Sequence, residues 1–324
     1  MTQYSQNSAQ FEKLPAPLRR SSNGGTIAGS RLDPMFQRSA TVFGVAVLLA
    51  AAVAACSSDS PHATTDELRK RGVAKVGYAN ESPYAYVAND TGKLTGEAPE
   101  IARAVLHQMG VPEVEGVLTE FGSLVPGLKA GRFDFVAAGM YVTPARCKEV
   151  AFSEPTYCIG QAFAVKAGNP QGLHSYRDVA KSERARLGVV RGTVEQGYAE
   201  KLGVPAARIV IFPDAPSALA GVQAGRVDAF AGTSLTINDL LKKAGDGALM
   251  RATPFRDPVI DGKPARGCGA FAFRRRDTAL LAAFNQKLTA FIGSDAHVAI
   301  MQSFGFTRDD LPTGVTTAAL CAAQ

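Results

Sequence analysis

The stretch Gly127–Asp134 (GLKAGRFD) recurs later in the chain as Gly221–Asp228 (GVQAGRVD), with five of eight residues identical. Each copy has the pattern of a helix end, a Gly-Arg turn and a strand that enters a sheet. Glycine just past a helix supplies the left-handed conformation that closes it. A single recurrence is too sparse for a solenoid, which needs several contiguous copies. The repeat therefore predicts two similar α/β lobes, one for each copy.

The segments around the first copy alternate between strand and helix patterns. Strands are predicted at Val73–Tyr78, Val114–Leu118 and Phe133–Ala138, and helices at Glu97–Met109 and Gly122–Ala130. Short connections between alternating elements are typical of mainly parallel sheets flanked by helices.

Two apolar, glycine-containing strands bracket the second copy of the repeat. These strands, Tyr157–Val165 and Gly267–Phe273, are predicted to be hinge strands, because a lobe inserted into another lobe needs two crossings. The amphipathic helix Asp277–Phe291 would then return to the first lobe. The predicted division is a first lobe of residues 67–160 plus 270–324 and a second lobe of residues 161–269.

The N-terminal part of the chain has a different character. Ala40–Ala55 is uncharged, too short for a membrane span and suited to a signal peptide, with Arg38 before it and Cys56 after it. We therefore expect residues 1–55 to be a leader with a lipoprotein signal peptide, Cys56 to carry lipid, and residues 56–66 to form a tether. The alternative is a buried apolar helix.

The charge pattern excludes some functions. Of 324 residues, 46% are hydrophobic and 20% are charged, with a formal net charge of +6 to which the leader contributes half. Beyond the leader, no basic run is longer than Arg274–Arg276, whereas nucleic-acid binding needs a clustered basic face. The composition predicts a protein without a nucleic-acid partner.

Cysteine usage agrees with export. Cys147, Cys158, Cys268 and Cys321 remain after Cys56, an even number in an oxidising compartment. Because Cys158 and Cys268 lie on the two proposed hinge strands, we expect a Cys158–Cys268 disulfide, with Cys147–Cys321 as the second. Four free thiols are the alternative. The four histidines are scattered, so neither a metal nor a cofactor is predicted.

An anion-binding arrangement follows the first repeat. Thr143 is a good N-cap and Pro144 a good first helical residue, so helical N–H groups and Arg146 would face the sheet edge beside Tyr141. Fixed amide donors with a guanidinium suit a carboxylate. In the second lobe, Thr193 opens another helix directly after a strand, where open α/β sheets bind ligands.

Aromatic and acidic side chains follow other strand ends. Glu81 and Tyr84 lie on a loop after the first strand, and Phe121 and Tyr141 follow two further strands. Three rings at strand ends predict a box for a cation or a flat ring, with each good contact contributing roughly 0.5–2 kcal/mol. The alternative for each ring is core packing.

From about residue 71 to residue 321 the chain resembles family 3 solute-binding proteins of bacterial ABC importers. The resemblance rests on an ordered set of motifs. It implies the type II periplasmic binding fold, a small-solute ligand, a membrane permease as partner and no catalysis. It also implies that Arg146 binds a ligand carboxylate, with main-chain donors near Tyr141, Thr143 and Thr193. The motifs are FGSLVPGL at 121–128, AGRFD at 130–134, TPAR at 143–146, FSEP at 152–155 and AGRVDA at 224–229.

Two departures from the family pattern concern the ligand. Thr233 stands where amino-acid binders of the family usually carry an Asp for the α-ammonium, and Tyr141 stands where Thr or Ser is common. With Glu81 in the other lobe, this pattern resembles the ectoine/hydroxyectoine-binding proteins. Ectoine is a cyclic amidinium carboxylate. The resemblance implies Arg146 and Thr193 on its carboxylate, Glu81 on its amidinium, and Tyr84, Phe121 and Tyr141 as the aromatic box.

Two alternatives remain open. One is an amino-acid or opine binder of the same family, and the other is a periplasmic dehydratase-like enzyme that uses Glu81 or Glu154 as acid and base. The expected protein is a monomer on the outer face of the cytoplasmic membrane or in the periplasm, held there by its lipid anchor.

Overall fold

The computed structural model describes residues 63–245, 247–260 and 262–322. The predicted signal segment, Cys56 and most of the predicted tether lie outside these residues. Among the described helices, none is both long and apolar enough to cross a membrane.

Strands and helices alternate along the described chain, with short 3₁₀ turns at 121–123, 206–208 and 308–310. The strands are β1 (Val73–Tyr78), β2 (Tyr86–Val87), β3 (Leu94–Thr95), β4 (Glu113–Leu118), β5 (Phe135–Tyr141), β6 (Ala151–Phe152), β7 (Tyr157–Ile159), β8 (Gln161–Lys166), β9 (Leu187–Val190), β10 (Ile209–Phe212), β11 (Ala229–Thr233), β12 (Leu249–Arg251), β13 (Val259–Ile260), β14 (Lys263–Pro264) and β15 (Gly267–Phe273). The helices are α1 (Thr65–Arg71), α2 (Glu97–Gln108), α3 (Leu124–Lys129), α4 (Pro144–Glu149), α5 (Tyr176–Lys181), α6 (Val194–Lys201), α7 (Ala215–Gln223), α8 (Ser234–Ala244), α9 (Thr278–Phe291), α10 (Asp295–Ser303) and α11 (Thr317–Ala322).

Two mixed sheets form two lobes. The first has the order β4-β1-β5-β15-β6, with β7 also on β15, and the second has the order β10-β9-β11-β8-β12. Within each, three consecutive strands are parallel, β4-β1-β5 and β10-β9-β11. The antiparallel strands come from the segments that carry the chain between the lobes. The predicted two-lobed α/β architecture is confirmed.

The sequence repeat has the same structure in both lobes. Gly131 (φ 74°) and Gly225 (φ 71°) adopt the left-handed conformation just after α3 and α7. The aspartate that ends each copy then accepts a hydrogen bond at 2.7 Å from a main-chain N–H next to the neighbouring parallel strand: Asp134 from Lys75 and Asp228 from Arg186. Because these residues form a turn, β5 begins at Phe135, two residues later than predicted.

The crossings between the lobes differ from the predicted hinge strands. The segment predicted as one strand, Tyr157–Val165, is divided at Gly160, so that β7 belongs to the first sheet and β8 to the second. Gly267–Phe273 forms a strand as predicted, but all of it lies in the first sheet, so the second crossing precedes Gly267. At the first crossing, Asp257 from the second crossing segment accepts a hydrogen bond from the Gln161 N–H at 2.7 Å.

Two disulfides link distant parts of the chain. Cys158–Cys268 joins β7 to β15, where the two residues are register partners. Cys147–Cys321 joins α4 to the C-terminal helix α11. These are the two pairs expected from the sequence.

Each lobe has its own apolar core. In the first, α9 buries Leu280, Phe284, Leu288 and Phe291, the face predicted from its periodicity. Phe284 packs against Phe135, with ring centroids 5.5 Å apart. The cores make the two sheets rigid supports for the loops at their edges.

Candidate functional site

A cleft lies between the two lobes. It is formed mainly where parallel strands end, at the carboxyl edges of β1, β5, β9 and β11, which is where open α/β sheets bind ligands. The lining residues are Glu81, Tyr84, Phe121, Gly139, Tyr141, Arg146, Val190, Thr193, Val194, Glu195, Phe230, Ala231, Gly232 and Thr233. Seven of the eight ligand-binding residues predicted from the sequence therefore lie together.

Arg146 is the cation of the cleft, and it is half-buried on α4. Its Nη1 donates to the Tyr141 carbonyl at 2.8 Å, and its Nη2 donates to the Gly192 carbonyl of the other lobe at 2.9 Å. The guanidinium carbon lies 5.4 Å from the centroid of the Phe121 ring. Burial lowers the pKa of Arg146, but an arginine in a protein stays protonated. With five N–H donors, this side chain can hold a carboxylate in addition to the two carbonyls.

Thr143 caps α4 as predicted, but it is not among the residues that line the cleft. Its hydroxyl is the N-cap of α4 and accepts a hydrogen bond from the Arg146 N–H at 3.3 Å. Thr143 thus supports the helix that carries Arg146.

Four aromatic rings line the cleft. Tyr84, Phe121 and Tyr141 were predicted, and Phe230 on β11 was not. Tyr84 and Tyr141 both pack near the buried Tyr157, with centroid distances of 5.4 and 6.3 Å. The rings leave no room for a side chain on the β5 backbone beneath them. A Cβ at Gly139, which also has φ of 62°, would meet the Tyr84 ring at 2.5 Å.

Glu81 is the predicted acid of the cleft. Its Oε1 accepts a hydrogen bond from the Thr236 hydroxyl of the second lobe at 2.7 Å. Burial raises the pKa of Glu81 to about 7; the hydrogen bond from Thr236 opposes this rise, and the nearby Glu195 adds a smaller contribution to it. The carboxylate is therefore ready to ionise fully when a cation reaches it.

Glu195 is a second buried acid, which sequence reasoning missed. It is 3% exposed in the first turn of α6. The side-chain amide of Gln161, assigned with its nitrogen toward the carboxylate, donates to Glu195 Oε1 at 2.7 Å. Burial raises the pKa of Glu195, and the charge of Arg146 opposes this rise. The only signal in the sequence was an acid two residues after Thr193, which is common in the first turn of a helix.

The two predicted threonines of the second lobe reach the cleft from strand ends. The Thr193 hydroxyl donates to the Val190 carbonyl at 2.9 Å, just before α6. The Thr233 hydroxyl accepts a hydrogen bond from the Tyr84 hydroxyl of the other lobe at 2.7 Å. Both hydroxyls are thus oriented by partners in the protein.

The lobes touch across the cleft. At Gly192 (φ 78°) an added Cβ would lie 2.6 Å from the Cα of Gly122 in the first lobe, so the two backbones need glycine to approach this closely. Contacts between lobes are also made by Arg146, Glu81 and Tyr84. The conformation is a closed one.

The site offers charged groups and aromatic rings. Among the residues that the structure describes, no three His, Cys, Asp or Glu side chains are grouped as a metal would need. One guanidinium, two carboxylates and four rings suit a small solute that carries both a carboxylate and a cationic group.

Comparisons with known proteins agree with this chemistry. Residues 74–307 match the bacterial extracellular solute-binding proteins, family 3. A probable amino-acid ABC transporter periplasmic-binding protein of Sinorhizobium fredii is 38% identical over 263 residues, covering 80% of this chain and 86% of that protein. A crystal structure of EhuB in complex with hydroxyectoine has 38% identity and a TM-score of 0.73, covering 80% of this chain and 98% of that one. The L-arginine-binding protein of Pseudomonas aeruginosa is 27% identical, covering 71% of this chain and 86% of that protein. These relatives are binding proteins, which supports the expectation that this chain is not an enzyme.

Proposed function

The chain belongs to the bacterial extracellular solute-binding proteins, family 3, and from this premise we propose that it captures ectoine or hydroxyectoine. It is a periplasmic solute-binding protein of an ABC importer for amino-acid-like solutes, and its partners are such a solute and a permease. The proposal concerns which solute it binds.

One observation carries the proposal. A single closed cleft contains Arg146, the acid Glu81 from the same lobe, and the rings of Tyr84, Phe121 and Tyr141. Ectoine combines a carboxylate with a cyclic amidinium, a flat and weakly hydrated cation. Aromatic faces attract such a cation, and a buried carboxylate neutralises it. The hydroxyectoine bound by EhuB is a solute of the same chemistry.

Each predicted residue has a role in this proposal. Arg146 and Thr193 hold the ligand carboxylate, and Glu81 accepts hydrogen bonds from the amidinium N–H groups. Tyr84, Phe121 and Tyr141 enclose the ligand ring, and Phe230 adds a fourth aromatic face from the second lobe. Thr233 orients the Tyr84 hydroxyl, and Thr143 acts through the cap of α4.

An amino acid is the second candidate, and Glu195 is the observation that favours it. A buried carboxylate in the second lobe can accept an α-ammonium, although Thr233 stands at the position usual for that acceptor. The arginine-binding relative points in the same direction. Under this candidate Glu195→Gln abolishes binding of arginine, whereas under the ectoine proposal Glu81→Gln has the larger effect.

Isothermal titration calorimetry on residues 57–324 tests the proposal. Ectoine, hydroxyectoine, arginine, proline and an opine are titrated in turn. We expect ectoine or hydroxyectoine to bind most tightly. No heat from either at millimolar concentration, with saturable heat from arginine, would replace the proposed solute by an amino acid.

We further propose that the mature protein is a monomer anchored by lipid at Cys56. The uncharged stretch before Cys56 supports this. Mass spectrometry of the N-terminal peptide from membranes is expected to show a diacylglyceryl-modified Cys56, which Cys56→Ser removes. An unmodified peptide that extends upstream of Cys56 would refute the anchor.

A further inference from the structure

Four polar groups form a continuous chain of hydrogen bonds across the lobes. The Tyr84 hydroxyl donates to Thr233 Oγ1 at 2.7 Å, Thr233 donates to Thr236 Oγ1 at 2.9 Å, and Thr236 donates to Glu81 Oε1 at 2.7 Å. Tyr84 and Glu81 belong to the first lobe, and both threonines belong to the second. Because each hydroxyl has one proton, the carboxylate at the end gives the whole chain a single direction.

The residues of this chain of hydrogen bonds are held by turns and caps in both lobes. In the first lobe, Glu81 and Ala85 exchange two main-chain hydrogen bonds, at 2.8 and 2.9 Å, around the loop that carries Tyr84. In the second lobe, Thr233 is the N-cap of α8 and accepts a hydrogen bond from the Thr236 N–H at 3.2 Å. The side chains are therefore positioned to meet when the lobes close.

Thr236 lies behind the cleft. It is 1% exposed and does not line the cleft among the described residues, but together with Glu81 it borders an outer cavity. Glu81 borders both spaces, so its hydrogen bond with Thr236 separates them. The titratable groups around Glu81 are Glu195, Arg146, Tyr84 and Tyr141 on the cleft side, with the buried Tyr157 behind the two tyrosines, and Tyr86, Asp239 and Lys243 on the outer side.

We propose that Thr236 is a positioning residue, which holds the Glu81 carboxylate for the ligand and couples its ionisation to closure of the lobes. The role of Glu81 in binding the ligand rests on the proposed function. A cation at Glu81 keeps the carboxylate charged, and a charged acceptor makes a stronger hydrogen bond with Thr236. Ligand recognition in the first lobe thereby stabilises a contact with the second lobe.

The test compares Thr236→Val with Thr236→Ser. Valine keeps the branched shape without the hydroxyl, and serine keeps the hydroxyl. Closure without ligand is measured in a Tyr86→Cys/Lys243→Cys background. In the closed structure the Lys243 ammonium lies 5.1 Å from the centroid of the Tyr86 ring across the lobes, so a short bis-maleimide joins the two cysteines only on closure. The dissociation rate of ectoine is measured by stopped flow at pH 6–9 with the native residues at 86 and 243.

We expect Thr236→Val to slow cross-linking and to accelerate ectoine dissociation, each by about tenfold, as for loss of a hydrogen bond to a charged group. Thr236→Ser should remain within about twofold of the parent by the same reasoning. Because the hydrogen bond from Thr236 lowers the pKa of Glu81, Thr236→Val should also move the pH dependence of dissociation to higher pH. A purely structural role would not shift this profile.

Equal cross-linking rates in the valine and serine variants would overturn the proposal, as would an unshifted pH profile. Unchanged melting temperatures show that both variants are folded. If ectoine does not bind the parent protein, the proposed solute is wrong, and the cross-linking rate alone then decides the role of Thr236 in closure.

Discussion

Replacing Arg146 with alanine should weaken ligand binding more than any other single change in the cleft. The guanidinium donates to the Tyr141 carbonyl at 2.8 Å and to the Gly192 carbonyl at 2.9 Å, and it lies beside Phe121. Alanine removes the charge partner of a ligand carboxylate and one contact between the lobes. Loss of one partner of a buried charge pair costs about 2–5 kcal/mol.

This free energy corresponds to a change in Kd of about 30-fold to 3,000-fold, since each 1.4 kcal/mol is a factor of ten. Arg146→Lys should be intermediate, because a lysine keeps the charge but cannot reproduce the planar fork. Calorimetry with ectoine gives Kd for each variant, and thermal melting shows that the variants are folded.

Arg275→Ala is the matched control. Arg275 is exposed and donates to the Lys148 carbonyl at 2.8 Å, so it contacts the same helix as Arg146 from outside the cleft. The Kd of the Arg275→Ala variant for ectoine should equal that of the parent protein. A Kd for Arg146→Ala within threefold of the parent would refute the reasoning, because the ligand carboxylate would then lie elsewhere.

Three further predictions concern pH and stability. Burial raises the pKa of Glu81 to about 7, and a bound cation lowers it again. The affinity for ectoine should therefore be highest above pH 7 and fall as the pH decreases below 7. In calorimetry at pH 5–8, Glu81→Gln should abolish this pH dependence. Burial raises the pKa of Glu97 to about 8, above its unfolded value of about 4.3, so its contribution to stability is present at low pH and is lost as pH rises through 8. Glu97→Gln, which keeps an acceptor for Thr156, should therefore raise the melting temperature at pH 9 and not at pH 4; an equal effect at both would contradict this. Cys147→Ser/Cys321→Ser should lower the free energy of unfolding by about 2–5 kcal/mol in urea titrations, and an unchanged midpoint would show that the disulfide does not constrain the unfolded chain.

The cleft could be predicted from the sequence because many of the residues that line it directly follow the ends of strands. Parallel strands bring their carboxyl ends to one edge of a sheet, so Glu81, Phe121 and Tyr141 converge in the first lobe, and Thr193 lies at the corresponding edge of the second sheet. The recurrence of Gly127–Asp134 at Gly221–Asp228 likewise predicted a second α/β lobe. These predictions needed only the order of elements along the chain.

The remaining features depend on contacts between distant segments. Phe230 lies inside a buried strand, where its pattern cannot distinguish a residue facing the cleft from one facing the core. Glu195 is an acid in the first turn of a helix, a common position that does not by itself indicate a binding residue. The break at Gly160 accompanies a hydrogen bond to Asp257, which is 96 residues from Gln161.

The charges of the cleft limit the solutes that fit it. The cleft holds Arg146 and two acids, the half-buried Glu81 and the buried Glu195, each with a pKa raised by burial. A dicarboxylate would bring a further negative charge toward these acids and could be bound only if they stayed protonated. A solute with one carboxylate and one cation satisfies Arg146 and ionises an acid at the same time. A delocalised cation is the better match, because its desolvation costs less and the rings of Tyr84 and Tyr141 can lie against it.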